Sequence, residues 1–302
     1  MNRPNLFVIG APKSGTSAFV QQLAQYPDIF IPKIKEPRYF DAHTFFDYES
    51  DYPIKNEKEY LSLYDTFDAN NSVYRVDGSV FNMYSEESIK RIIKLSPQAK
   101  FIVILRDPLS ASKSMHLQRL KYYDVRMREV SIKFCECWDL LELRKKGSGF
   151  PKDCRNKILF RYDLLYRYEL YLPFIQNLIN KDKILFIKYD VFRDFPQMIH
   201  TAVQSFLELP EFNPEVTKVN ESYIVKPDNI NKLCGYIAKN TLMIRKPFGF
   251  TGDSLRWIKN LYQEKYTVRV STESCDNRVR DYFCDSYCAM NEVLEKYDFN
   301  VI

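Results

Sequence analysis

The chain has 302 residues, with 44 lysines and arginines against 39 aspartates and glutamates and a formal charge of +5. Its 45% hydrophobic and 27% charged content excludes a disordered chain, and no apolar run reaches the roughly 18 residues of a membrane helix. The small, well-mixed charge excludes a dedicated nucleic-acid binder.

Seven cysteines without CxxC pairs, and only three histidines, argue against a disulfide framework and against a metal site. Reduced, mostly buried thiols are expected. The N-terminus lacks a basic region followed by a long apolar one, so the expected location is cytoplasmic.

Leu6 to Ile9 is a short apolar run ending at Gly10, and helical spacing follows from Thr16 to Gln25, which reads as strand, loop, helix. From Pro32 to about Ser72 the chain reads as irregular, and Val76 to Ser79 closes a middle strand. Ser85 to Leu95 is helical. Phe101 to Leu105 is a second buried strand, bounded by Pro97 and by Asp107-Pro108, with helical spacing from Leu109. Helices are expected over Ser131 to Lys145 and Asp163 to Asn180, a third buried strand over Ile184 to Tyr189, and a helix from Phe195 to Leu207. Ser254 to Tyr297 reads as mainly helical.

Continuous apolar strands alternating with helices predict an α/β fold of three layers, with a mainly parallel central sheet flanked by helices. No repeat, low-complexity tract or Gly/Ser linker divides the chain. A single domain over 1–302 is expected, with an insertion at about 41–72 and a mainly helical C-terminal region at about 210–302.

Gly10-Ala11-Pro12-Lys13-Ser14-Gly15-Thr16-Ser17 has the G-x-x-x-x-G frame of a P-loop, directly after a strand and opening a helix. In a chain with only 8 glycines, two frame this turn. Glycines permit the tight turn, amides face inward, and the helix N-terminus adds partial positive charge, so an anion settles there. A magnesium-clamped triphosphate site needs Lys and then Ser or Thr straight after the second glycine. Here Thr16 and Ser17 follow it, and the lysine, Lys13, sits inside the loop. A plain strand-to-helix turn with a solvated lysine is the competing reading.

With these residues, FVIGAPKSGTSAF resembles the 5′-phosphosulfate loop of the sulfotransferases that use 3′-phosphoadenosine 5′-phosphosulfate (PAPS). FIVILRDPLSASKSMH resembles the family's 3′-phosphate element, a buried strand followed by Arg106 and, eight residues on, Ser114. Lys35-Glu36-Pro37-Arg38-Tyr39-Phe40 is similar to the K-E-x-x-x-F segment of glycan and bacterial members, and ILFIKYDVFRDFP to the family's strand and Y-E-D-L turn. The resemblance runs from Leu6 to roughly Leu209. It departs at Ala111, where many members carry arginine, and at Val76-Asp77-Gly78-Ser79, where they carry an acid-Lys/Ala-Ser segment.

The resemblance implies a P-loop NTPase-like sulfotransferase fold and PAPS as donor, with 3′,5′-adenosine bisphosphate (PAP) as product and no metal. Donor contacts then fall to Lys13, Ser14, Gly15, Thr16, Ser17, Arg106 and Ser114, and Arg245 and Lys246 stand as lid candidates or solvated charges. Lys13 would stabilise the departing oxygen, and Glu36 would be the base that takes the acceptor proton. His43 is the alternative base, and a surface ion pair with Lys35 or Arg38 is the alternative role for Glu36. His116 and His200 read as structural.

Asp41 to Asn70 holds eight acidic residues against two lysines, a net of about −6, and seven aromatics. An acidic, aromatic wall repels polyanions, so a neutral or cationic small acceptor is expected over a sulfated glycan. An acidic solvated loop has the same composition. Other readings are a glycan O-sulfotransferase, a nucleotide kinase with Asp107 as its acid, and a non-catalytic nucleotide-binding module. No nucleic-acid or membrane partner is expected.

Overall fold

The computed structural model describes residues 2–41, 54, 56–122, 124–154, 156–215 and 274–297, and the backbone alone at 223–225 and 263–265. Five strands form the central sheet: β1 (Leu6–Gly10), β2 (Ile29–Phe30), β3 (Tyr74–Asp77), β4 (Lys100–Leu105) and β5 (Ile184–Lys188). Their order is β2-β3-β1-β4-β5, and every pairing is parallel. A separate antiparallel pair joins β6 (Tyr223–Val225) to β7 (Gln263–Lys265).

Successive side chains on a strand point to opposite faces, and here both faces are apolar. Phe7, Ile9, Phe101, Val103, Leu105 and Phe186 belong to one buried cluster, whereas Leu6, Val8, Ile102, Ile104, Leu185 and Ile187 belong to another. Helices cover each. On the first face lie α4 (Glu86–Leu95), α5 (Pro108–Leu120) and α9 (Tyr168–Leu178); on the second lie α1 (Thr16–Leu23) and α11 (Pro196–Leu207). The three-layer architecture is the one the strand pattern predicts.

The stretch read as irregular carries α2 (Glu57–Ser62) and α3 (Phe67–Asn71). Each begins at a side-chain cap, Asn56 accepting from the Glu59 amide and Thr66 from the Ala69 amide. Helices this short show too little periodicity to be read from sequence. Ser131 to Lys145 contains two helices, α6 (Phe134–Asp139) and α7 (Leu141–Lys145), and the stretch expected from Asp163 to Asn180 is also two, α8 (Tyr162–Leu165), which starts one residue earlier, and α9. After β5 come α10 (Tyr189–Asp194) and α11, and the described C-terminal part holds α12 (Asp276–Tyr282) and α13 (Cys284–Lys296).

The expectation of wholly reduced thiols is corrected: Cys135 and Cys275 form a disulfide across 140 residues of sequence. The two cysteines show no recognisable spacing because the fold, and not local sequence, brings α6 beside the start of α12. Among the described residues, Cys137, which is buried, and Cys154, Cys284 and Cys288 take no part in a disulfide. Cys275 adjoins Asp276, whose carboxylate accepts from the buried Lys113 ammonium at 2.9 Å, so the disulfide ties the start of α12 to α6 and the neighbouring ion pair ties it to α5. Replacing Cys135 by serine should lower unfolding free energy by about 2–5 kcal/mol, the usual loss for a long-loop disulfide. A denaturant titration of both proteins without reductant checks this, and coincident curves would show that the bond contributes nothing.

Candidate active site

The strand-to-helix turn after β1 needs its glycines. A β-carbon on Gly10 would lie 2.1 Å from Met83 Sδ, and Gly15 sits at φ 77°, where its β-carbon would press on the Tyr189 ring at 3.0 Å. Gly15 is the N-cap of α1 and offers no side chain to the free amides of the first turn. Lys13 also lies in the left-handed region, at φ 67°.

Lys13 is half-buried. Its ammonium pKa is lowered to about 8, chiefly by burial, then by the charges of Lys121, Arg106 and Arg119, with Glu36 opposing. The Ser14 hydroxyl is buried in the same loop, beside the Tyr168 hydroxyl. A buried hydroxyl next to a lysine burdened by other cations is the pattern expected of a site built for an anion.

Arg106 follows β4, the neighbour of β1, and so reaches the same turn. Its Nη1 donates to the Lys13 carbonyl at 2.8 Å, and its guanidinium lies 4.4 Å from the centre of the Tyr189 ring. Tyr168 holds its backbone, donating from its hydroxyl to the Arg106 carbonyl at 2.9 Å. The structure therefore brings Lys13 and Arg106, 93 residues apart, into direct contact. Ser114 lies half-buried on α5, the helix that Arg106 introduces.

On the other side of the loop, Lys35 Nζ donates to Ser17 Oγ at 3.1 Å and to Glu36 Oε1 at 2.8 Å. Glu36 thus makes the ion pair with Lys35 named as its alternative role, while standing close enough to act on Lys13. The end of β3 clamps this segment. The Gly78 amide donates to the Lys35 carbonyl at 3.0 Å, and the Arg38 amide donates to Ser79 Oγ at 2.9 Å. A β-carbon on Gly78 would lie 3.0 Å from that carbonyl, so the departure from the family's acid-Lys/Ala-Ser pattern makes room for Lys35.

Asp77 is fully buried and accepts from the Tyr60 hydroxyl at 2.6 Å and the Ser79 amide at 2.8 Å, while burial pushes its carboxyl pKa up. Asp41, also buried, is raised to about 6 by burial, with Arg38 opposing.

Of the expected acidic and aromatic wall, residues 42–53 and 55 lie outside the described residues. Asp41 is turned inward onto Arg38, and Tyr60 and Tyr64 are core residues. Their side chains are unavailable to an acceptor, whereas Glu57, Glu59, Asp65 and Asp68 form an exposed acidic surface. His43, Arg245 and Lys246 lie outside the described residues. His116 bonds the Ser131 carbonyl at 2.9 Å, and His200 lies between Tyr26 and Gln22, its pKa lowered by burial to about 4, both as structural histidines.

Asp107 is engaged at both oxygens. It caps α5 by accepting from the Ser110 amide at 2.6 Å and accepts from the Tyr287 hydroxyl at 2.7 Å, which gives it a structural role at the start of that helix. Sequence reasoning missed Tyr168 and Tyr287, and named Lys35 and Tyr189 only as members of the family-like segments, without a site role for Tyr189.

The sulfotransferase domain family matches residues 3–236. This chain belongs to the sulfotransferase family. It is 27% identical over 212 residues to the mouse bifunctional heparan sulfate N-deacetylase/N-sulfotransferase 4, covering 70% of this chain and 23% of that protein. The chain thus spans about a quarter of the length of that relative. Its fold is similar to that of a sulfotransferase from Alicyclobacillus acidocaldarius, with a TM-score of 0.62 and 22% identity over 85% of this chain and all of that one. Mouse sulfotransferase SULT7A1, solved with PAP, aligns at a TM-score of 0.50 and 16% identity, over 97% of this chain and 90% of that one. Among the described residues of this sulfotransferase, no helix is long and apolar enough to cross a membrane, and no cluster of side chains is suited to a metal ion.

Proposed function

We propose that the chain transfers the sulfonate of PAPS to a hydroxyl or amine of a small molecule, releasing PAP. The observation that carries this reading is the direct contact of Arg106 with the Lys13 carbonyl, which joins the two family-like donor segments beside the buried Ser14 hydroxyl. The donor then lies with its 5′ end on the Lys13 turn and its 3′-phosphate at Arg106 and Ser114. A planar guanidinium suits bidentate contact to phosphate.

In the transfer, the acceptor oxygen or nitrogen bonds to sulfur as the sulfur–oxygen bond to the 5′-phosphate breaks. The electron pair leaves on the phosphate oxygen, where the Lys13 ammonium and Ser14 hydroxyl meet the growing charge. The acceptor proton passes to Glu36, which Lys35 holds at the mouth of the loop. The similarity to heparan sulfate N-sulfotransferases favours a glycan acceptor as the second reading. The Cys135–Cys275 bond suits an oxidising compartment better than the cytoplasm.

PAP should raise the melting temperature equally with and without magnesium. Glu36→Gln should keep that stabilisation while losing at least 10²-fold in turnover with whichever acceptor is used. Stabilisation that appears only with magnesium and ATP would establish a kinase-like site instead.

A further inference from the structure

Regular secondary structure does not hold Arg106. β4 ends at Leu105, and α5 begins at Pro108 behind its cap Asp107, so Arg106 lies between a sheet ladder and a helix and belongs to neither. The proline at 108 restricts the backbone of the residue before it, Asp107, and does not reach Arg106. An arginine on an unfixed backbone cannot be aimed, because a small change at φ or ψ swings its long side chain through a wide arc.

One hydroxyl supplies the hold. Tyr168 Oη donates to the Arg106 carbonyl at 2.9 Å, and the Arg106 amide donates back to Tyr168 Oη at 3.4 Å. Both polar groups of one backbone residue thus meet the same oxygen, which has a proton for the carbonyl and a lone pair for the amide. Tyr168 is fully buried and is the first residue of α9. Its neighbour Glu169 accepts from Arg167 Nε at 2.7 Å and from Ser286 Oγ of α13 at 2.6 Å, so the start of α9 is itself fastened. With its backbone held there, Arg106 rests its guanidinium on the Tyr189 ring and reaches the Lys13 carbonyl. The Lys13 turn keeps backbone bonds of its own, from the Ala11 amide to the Ile104 carbonyl at 2.8 Å and from the Ser14 amide to the Ala11 carbonyl at 3.2 Å. The 5′ end of the site is therefore held without Tyr168, whereas the Arg106 backbone is held by it.

We propose that Tyr168 is a positioning residue for donor selection: by gripping the Arg106 backbone through its hydroxyl it aims the guanidinium at the 3′-phosphate, and so sets the preference for a 3′-phosphorylated nucleotide over one without that group. The proposal rests on the donor reading above, in which Arg106 meets the 3′-phosphate. Tyr168 acts on the nucleotide only through Arg106.

Calorimetry with PAP and with adenosine 5′-monophosphate (AMP), which lacks the 3′-phosphate, separates this role from a merely structural one. Tyr168→Phe removes the hydroxyl and keeps the ring in the core. It should weaken PAP about tenfold, the worth of one hydrogen bond, while AMP stays within about twofold. In an Arg106→Ala background the same substitution should cost PAP less than about twofold, because the anchored backbone then aims nothing. The melting temperature of each protein without ligand shows that it folds. Equal losses of PAP and AMP would make Tyr168 a general support of the fold, and the same PAP loss recurring without the Arg106 side chain would uncouple the two residues; either overturns the proposal. Unchanged PAP affinity in Tyr168→Phe overturns it too, and so does a Tyr168→Phe protein that cannot fold, since the hydroxyl is then a folding requirement. A parent that binds PAP no better than AMP is a separate result, counting against the 3′-phosphate assignment of Arg106 itself.

Discussion

Lys13→Ala should give a folded protein that still binds PAP but turns over about 10³-fold more slowly, the usual loss when a positioned group that stabilises developing negative charge is removed. PAP lacks the sulfonate, so most of what Lys13 contributes is realised only as the sulfur–oxygen bond breaks. The effect should carry a pH signature. The ammonium pKa is lowered to about 8 by burial and neighbouring cations, and only the charged amine can meet the departing oxygen. Parental turnover should therefore fall as pH rises through about 8, and that alkaline limb should vanish from the residual activity of the variant.

The sign of the accompanying stability change is fixed by the same value. Between about 8 and the ordinary 10.5, the unfolded chain binds more protons at this site than the folded one, so the contribution of Lys13 to stability rises with pH across that interval. Below about 8 the crowded ammonium is a standing cost that an anionic donor relieves. PAP stabilisation should accordingly be larger at pH 7 than at pH 9.5. Turnover by Lys13→Ala at the parental rate, or a pH profile unchanged by the substitution, excludes the assigned role.

Arg106→Ala should lose about 10²-fold in PAP affinity by calorimetry, the range for a charge-assisted phosphate contact. It should also lower turnover at saturating donor, because Arg106 Nη1 holds the Lys13 carbonyl and the substitution frees the turn that aims the lysine. Arg106→Lys should restore little, since a single ammonium cannot lie on the Tyr189 face, reach that carbonyl and grip a phosphate together. An Arg106→Ala protein with parental PAP affinity would remove the 3′-phosphate assignment.

The fold was legible where strands are long and buried. FIVIL and the first four residues of ILFIK are wholly apolar and buried, and FIVIL is followed by a helix that opens with Pro108 behind the capping Asp107. The two-residue β2 and the five- and six-residue helices α3 and α2 carry too few residues for a period to emerge. Within the site, Lys13, Arg106 and Glu36 were readable because each sits in a local segment with its own spacing. Tyr168 and Tyr287 were not, since each is one tyrosine among 22, and only tertiary proximity distinguishes it. Asp41 misled for a related reason: composition counts a carboxylate as surface charge, whereas folding turned this one inward onto Arg38.

The hydrogen bond from Tyr287 to Asp107 spans 180 residues and sets a constraint on biosynthesis. Residues 3–236 include the sheet and the proposed donor residues placed in the structure, yet they lack Asp276 and Tyr287, which fasten α5 through Lys113 and Asp107. A nascent chain emerging from the ribosome can therefore assemble its sheet early, but the helix carrying Ser114 stays unfastened until about a hundred further residues, through Tyr287, have been made. Competence to bind substrates should arrive abruptly at that point of synthesis, after the sheet has already formed.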